Sequence, residues 1–400
     1  MEPIYITGAG IVSAIGIGKT ETLASLLAAR TGIREMKYLP SCHRELPVGE
    51  VQLSNAEMMR MLGVDNDPRY TRTALIGRLA LKEALEEARL TTQSEELKKI
   101  HFISATTVGG MDRREMLHGK EPDNNLLHAI IATHNGADCT EMIADYFGDF
   151  ASLSTVSTAC SSATNAIITG ANMMRCGLAD IVVVGGAECL TLFHLNGFNT
   201  LMILDHEQCK PFDRDRAGLN LGEGAAYLVM ETEASVSSRG VTPLAILSGY
   251  GNACDAYHQT ASSPDGEGAF RAMQEALALA AMSPADIQYI NAHGTGTPNN
   301  DESESHAIRR VFGDSLPPVS STKSFTGHTT SASGSIEAVI CLLALQHQFL
   351  PVNINWHTPM ENGIVPVTNA KTEKEIRHIL SNAFGFGGND SSLILSKYDS

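Results

Sequence analysis

The chain of 400 residues has no apolar run near the ~20 residues that a bilayer-spanning helix needs. Its short run Ile181–Val184 ends in Gly185-Gly186 and reads as a buried strand. No basic segment precedes an apolar one in Met1–Ile6, so no signal peptide is expected. Basic residues are scarce: 29 Lys and Arg stand against 45 Asp and Glu, a net charge of -16. That balance argues against binding a nucleic-acid backbone, which needs a basic surface. An acidic partner would need a local basic patch. The 8 cysteines include no Cys-x-x-Cys pair and lie scattered among small and apolar residues, which predicts reduced thiols and a cytoplasmic protein. No Gly-x-Ser-x-Gly elbow supports a serine hydrolase. Gly8-Ala9-Gly10 has the start of a dinucleotide loop, but Ser13 replaces its third glycine and no acidic strand end follows, so it reads as a tight strand exit.

What is present is an alternation of strands and helices. The length allows two or three domain-sized units. An apolar strand begins at Ile4, and an amphipathic helix runs from Pro68 to Leu90, with Leu75, Ile76 and Leu79 on its dry side and Glu83, Glu86 and Glu87 on its wet side. A strand follows at Ile100–Ala105, then a polar, helical insertion from about Asp112 to Phe150. Two later stretches share one order. Ser154–Thr158 is a short strand that leads through Cys160 to an Ala- and Ile-rich helix. Val319–Thr322 is a short strand that leads through His328 to the helix Ser333–Leu345. The second half opens with an apolar strand at Leu244, much as the first half does at Ile4. These parallels predict a weak internal duplication with its junction near residue 240, in α/β layers with mostly parallel sheets.

Cys160, in Ser157-Thr158-Ala159-Cys160-Ser161-Ser162-Ala163, stands at the first turn of its helix. Unpaired N–H groups and the helix dipole there are expected to lower a thiol pKa, and the small neighbours leave room for an acyl group. His293 follows the strand Ile287–Asn291 in a glycine-flanked loop that a long ligand can approach closely. His328 sits in a similar setting. A zinc site is the competing use of Cys and His, but the spacings fit no structural pattern and no second cysteine pairs with Cys160, so no metal is expected.

With these residues on the page, the chain resembles the β-ketoacyl-[acyl-carrier-protein] synthases of the first and second types. The motifs are Thr158–Ala163, Pro211-Phe212-Asp213, Gly222-Glu223-Gly224-Ala225, Ala292–Thr297, Lys323-Ser324-x-x-Gly327-His328 and Asn382-x-Phe384-Gly385-Phe386-Gly387-Gly388, in the right order over nearly the whole chain. The resemblance implies the thiolase fold, an α/β architecture of two duplicated halves in a five-layer α/β/α/β/α stack. Residues 1–240 would carry the nucleophile. Residues 241–400 would carry both histidines and the glycine-rich oxyanion loop. It also implies a decarboxylative Claisen condensation of malonyl-carrier protein with an acyl chain on Cys160, in fatty acid biosynthesis. His293 and His328 would assist decarboxylation as donors to the enolate oxygen, and the N–H groups of Cys160 and Phe386 would form the oxyanion hole.

By the same resemblance Lys323 and Glu304 match a charged pair near His328. Thr295 and Thr297 match pantetheine-binding positions, Phe386 also matches a gate, and Val108 a wall of the acyl pocket. No bound cofactor is implied, since the phosphopantetheine arm arrives on the acyl carrier protein. The partners implied are that carrier protein and a second subunit, identical or a related ketosynthase. Arg69 and Arg72, beside the family's carrier-docking helix, are candidates for meeting an acidic carrier.

Thiolases differ by a second cysteine in the C-terminal glycine loop, which is absent here. The third synthase type uses Cys-His-Asn, and chain-length factors lose the cysteine. Two departures stand out: Asn389-Asp390 where Thr-Asn is common, and Leu219 where an aromatic usually follows the glycine. They leave open a specialised ketosynthase of a type II polyketide or aryl-polyene pathway, paired with a different subunit. A reading from another class is a non-catalytic partner that shapes another synthase's pocket, against which the presence of Cys160, His293 and His328 argues. Acyl chain length and saturation are not legible.

Overall fold

A computed structural model describes residues 2–92, 94–117, 124–372 and 374–399. Ten strands carry the fold: β1 (Ile4–Ser13), β2 (His101–Ala105), β3 (Ser152–Val156), β4 (Ile181–Glu188), β5 (Gly224–Thr232), β6 (Ala245–Cys254), β7 (Tyr289–Asn291), β8 (Val319–Ser320), β9 (His378–Gly385) and β10 (Asn389–Lys397). They hydrogen-bond in the order β3-β2-β4-β5-β1-β6-β10-β9-β7-β8. The order is a palindrome. In each set of five, three strands run parallel and the next two pairings are antiparallel. The sets join where β1 pairs with β6, Ile4 opposite Leu247 and Ile6 opposite Ala245. Gly240, the left-handed cap of the helix Glu233–Arg239, lies between the last strand of one set and the first of the other.

Seven helices bear on the site and its support: α1 (Arg72–Glu87), α2 (Ser162–Arg175), α3 (Leu192–Thr200), α4 (Glu267–Ala280), α5 (Pro298–Phe312), α6 (Lys323–Thr326) and α7 (Ser333–His347). Period-2 alternation buries both faces of the strands. Val182 and Val184 face a central core with Ala166 and Ile167 of α2 and Val339 and Ile340 of α7, while Val183 faces an outer core with Leu75 and Leu81 of α1. In the other set Ile379 and Leu393 join the same central core, and Leu380 and Ile394 pack outward against Met273 of α4 and Ile308 of α5. One middle core and two outer ones give the layers α/β/α/β/α. Helix α7 is buried all round from Ser333 to Leu345, which is why its sequence has no polar stripe.

Gly8 and Gly10 lie inside β1 rather than at a strand exit. A Cβ there would lie 2.3 and 2.0 Å from the carbonyl oxygens of Ala84 and Ala80 on α1. Gly249 and Gly251 on β6 stand in the same relation to Ala276 and Ala272 of α4, at 2.3 and 2.1 Å. The Gly-x-Gly pair is therefore a helix-docking device, used once in each set. Glu83 and Glu87 do not face water alone: they accept the N–H groups of Ile11 and Ala9 across this contact, as Glu275 accepts that of Asn252. The insertion is helical at Met111–Glu115, Asn124–Ala132 and Gly136–Asp145.

Candidate active site

The polypeptide leaves β3, turns through Ala159 with φ +53°, and reaches Cys160 directly before Ser161, the N-cap of α2. On the other side the chain leaves β8, passes through α6, and reaches His328 before a tight turn into α7. The two helix starts touch: a Cβ on Gly334 would lie 1.9 Å from Thr164 Oγ1. Any side chain there would push α7 off α2 and part the loops in front of them.

In front of that contact, Cys160 Sγ lies 3.0 Å from His328 Nε2. His328 Nδ1 faces Ser333 Oγ at 3.1 Å. The His293 ring stands edge-on to His328, centroids 5.4 Å apart at 86°. Lys323 Nζ spends its donors on His293 Nδ1 at 3.3 Å, His293 O at 2.6 Å and Glu337 Oε1 at 2.5 Å. An ammonium can only donate, so His293 Nδ1 accepts and the ring proton sits on Nε2.

Burial pushes the Cys160 thiol up to about 12, although Lys323 and the Phe386 N–H pull it down. The expected lowering by the helix dipole is therefore outweighed: Cys160 precedes the N-cap and is enclosed, so desolvation of the thiolate dominates. Burial likewise holds both His293 and His328 well below the usual histidine range, reinforced by Lys323 and, for His293, by His328. Burial thus favours the neutral form of the thiol and of both imidazoles.

Lys323 does not pair with Glu304. Its ion-pair partner is Glu337, on α7. Glu304, on α5, accepts the N–H groups of His293 and Gly294 at 2.8 Å each and Asn382 Nδ2 at 3.1 Å, and so holds the histidine loop by its backbone. Burial raises Glu304 to about 7 against those donors, and raises Glu337 to about 6 against Lys323.

A cavity of about 300 Å³ opens onto Cys160, His293 and His328. Thr295 and Thr297 line it, their hydroxyls 2.9 Å apart, and so does Phe386. The Phe386 ring stacks on Phe198 of α3, centroids 5.8 Å apart at 18°. Val108 is not brought to this cavity. It is buried, with its N–H donated to Glu188. The two docking arginines separate: Arg69 is exposed and paired with Asp67, whereas Arg72 is buried at the start of α1. Arg72 binds Glu223 through Nη2–Oε1 at 2.6 Å and Nε–Oε2 at 2.9 Å, and also the carbonyls of Val51 and Leu53, so it is a structural cation with no reach to a partner.

Residues 1–235 match the β-ketoacyl synthase N-terminal domain and residues 244–357 its C-terminal domain. The chain belongs to the β-ketoacyl synthase family. It is thus a condensing enzyme of the acyltransferase type. It is 32% identical over 410 residues to 3-oxoacyl-[acyl-carrier-protein] synthase 2 of Staphylococcus aureus (strain COL), covering 99% of this chain and 98% of the relative. Among solved structures, the ishigamide ketosynthase/chain length factor superposes with a TM-score of 0.90 at 30% identity, over 100% of both chains. A ketosynthase in complex with its chain length factor from Xenorhabdus doucetiae superposes with a TM-score of 0.82 at 31% identity, over 99% of this chain and 98% of that one. No helix among the described residues is long and apolar enough to cross a membrane.

Sequence reasoning missed Glu337, Ser333, Asn382, Phe198 and Glu188. Glu337 had a signal: it is the lone charge in the otherwise apolar run Ser333–Leu345. Ser333 and Asn382 had none, because a hydroxyl or amide in a small-residue motif looks like any other.

Proposed function

We propose that the protein catalyses the decarboxylative condensation of malonyl-acyl-carrier protein with an acyl chain carried on Cys160, as a 3-oxoacyl-[acyl-carrier-protein] synthase of fatty acid biosynthesis. The observation that carries this reading is the 3.0 Å contact between Cys160 Sγ and His328 Nε2, with His293 beside it at the end of one cavity. In the first half-reaction the thiol proton passes to His328 Nε2 and the sulfur attacks the thioester carbonyl of an acyl-carrier protein. The N–H groups of Cys160 and Phe386 receive the oxyanion. The tetrahedral adduct collapses, and the departing pantetheine sulfur takes the proton back from His328.

In the second half-reaction the malonyl carboxylate leaves as CO₂. Its electron pair becomes an enolate whose oxygen accepts N–H bonds from His293 and His328. The enolate carbon attacks the Cys160 thioester, the ketoacyl chain leaves on the carrier, and a solvent proton restores the thiol. His328 Nε2 accepts in the first step and donates in the second. The Ser333 hydroxyl at Nδ1 serves both tautomers, since it donates or accepts. The pantetheine arm would lie along Thr295 and Thr297.

Cys160→Ala tests the nucleophile. Wild-type protein mixed with acyl-carrier protein gains one acyl mass in intact-protein spectra, and the variant gains none. An alanine variant that still acquires the acyl group removes the assignment. A second reading, a ketosynthase of a polyketide or aryl-polyene pathway paired with a chain length factor, is favoured by the two structural relatives above. Primers of several lengths, saturated and conjugated, decide between them. Preferred extension of conjugated primers supports the second reading, and preferred extension of saturated ones the first.

A further inference from the structure

Glu188 ends β4, is fully buried, and takes no part in the steps above. None of the ion pairs among the described residues includes it. Donors from two separate places converge on it instead. From the loop after β2 come Thr106 Oγ1 at 2.7 Å, the N–H groups of Thr107 at 2.9 Å and Val108 at 3.1 Å, and the Thr107 hydroxyl. From the loop after α6 comes Thr330 Oγ1, at 3.3 Å.

Thr330 is a β-branched residue held at φ +44°, a region such residues avoid. It lies in the turn between His328 and Ser333. The same turn sets Ser333 Oγ against His328 Nδ1 and, at 3.2 Å, against Thr329 Oγ1. The hydroxyl of Thr330 is thus the tether of a disfavoured turn, and Glu188 is its anchor.

We propose that Glu188 is a positioning residue for the condensation, clamping the turn after His328 to the Thr107–Val108 loop so that Ser333 stays in register with the His328 ring. The clamp joins the turn that follows His328 to the segment that carries Thr107 and Val108. The titratable groups that feel the Glu188 charge are Cys139, Cys160, Cys189 and His194, and for Cys160 it opposes thiolate formation. His194 Nε2 also lies 3.4 Å from Thr107 Oγ1.

This inference rests on the condensing reading, and Thr330→Val tests it with the hydroxyl removed and the shape kept. The expected result is a fall in condensation kcat of about 10- to 100-fold, the scale of a misplaced catalytic group. The KM for malonyl-carrier protein stays within about twofold, because binding is untouched. Thr330→Ser restores kcat. In Glu188→Gln, kcat falls similarly, and iodoacetamide alkylates Cys160 faster than in wild type at the same pH, a change that a merely structural role does not produce. Wild-type kcat in Thr330→Val, no rescue by serine, or unchanged alkylation in Glu188→Gln overturns the proposal. A wild-type protein that condenses no primer overturns the condensing reading instead.

Discussion

The set β3-β2-β4-β5-β1 and the set β8-β7-β9-β10-β6 share their order and their glycine-under-alanine helix contact, yet they bring different chemistry to the gap between α2 and α7. The N-terminal set contributes a bare sulfur on a turn of small hydroxyl residues. The C-terminal set contributes both histidines, Lys323, Glu337 and Glu304. An acyl acceptor needs empty space beside it, and buried charge needs partners on every side. Splitting the two tasks leaves the proposed nucleophile open to a cavity while the charged cluster is packed behind the histidines. The repeat supplies the scaffold, and the loops at the ends of equivalent strands supply the difference.

The sharpest break in this comparison is Lys323→Met, which strips the only cation from the C-terminal cluster. It leaves Glu337 buried without its partner, and the expected loss in urea unfolding is about 3–5 kcal/mol. Adding Glu337→Gln recovers much of the stability but not condensation, since His293 Nδ1 has still lost its donor. A double variant as unstable as the single one shows that the pair is not the unit described here.

Arg72 and Arg69 offer a contrast within the N-terminal half. Arg72→Ala leaves the buried Glu223 without its cation, held only by the N–H groups of Val51 and Leu190, and costs about 3 kcal/mol or more, with a lower melting temperature. Arg69→Ala leaves the melting temperature unchanged, and any effect falls on KM for the carrier protein. Equal destabilisation by both variants contradicts their separation into a buried and an exposed cation.

Gly10→Val and Gly251→Val probe the repeated contact itself. Each forces a side chain into an alanine carbonyl, and each is expected to cost about 1–3 kcal/mol. If only one destabilises, the two helix contacts are not equivalent.

The smallest effect is one of slope. Glu304 is raised in the folded protein to about 7, above an unfolded value near 4.3. Between those values the folded state binds the extra proton, so Glu304 stability is present at low pH and is lost as pH rises toward 7. The buried histidines run the other way: their folded values lie below the unfolded one near 6.5, so their contribution is lost as pH falls through 6.5. In melting temperatures from pH 5 to 8, Glu304→Gln should therefore rise more steeply with pH than wild type, and His328→Asn less steeply. Parallel curves for all three proteins contradict these assignments.

Much of this was legible in the chain. The alternation of strands and helices, the matched openings at Ile4 and Leu244, and the matched units around Cys160 and His328 are patterns of period and composition, which survive in one dimension. That Cys160, His293 and His328 come together was legible because glycines and small residues surround each of them. The Gly8–Gly10 pair was misread as a strand exit, because a glycine that admits a helix and one that admits a turn look alike until the helix is placed. The thiol was expected to titrate low because the dipole is a local property, whereas the burial that overrides it comes from the whole fold.

By itself the sequence determined the family and the fold class, and singled out the cysteine and the two histidines proposed to carry the chemistry, since these rest on motifs written along the chain. Only the tertiary structure decided that Glu337 rather than Glu304 neutralises Lys323, that Arg72 is a structural cation, and that Glu188 ties Val108 to Thr330. Each depends on which of several equivalent carboxylates or cations faces a given neighbour, and that is settled by how α1, α5 and α7 pack against the sheet.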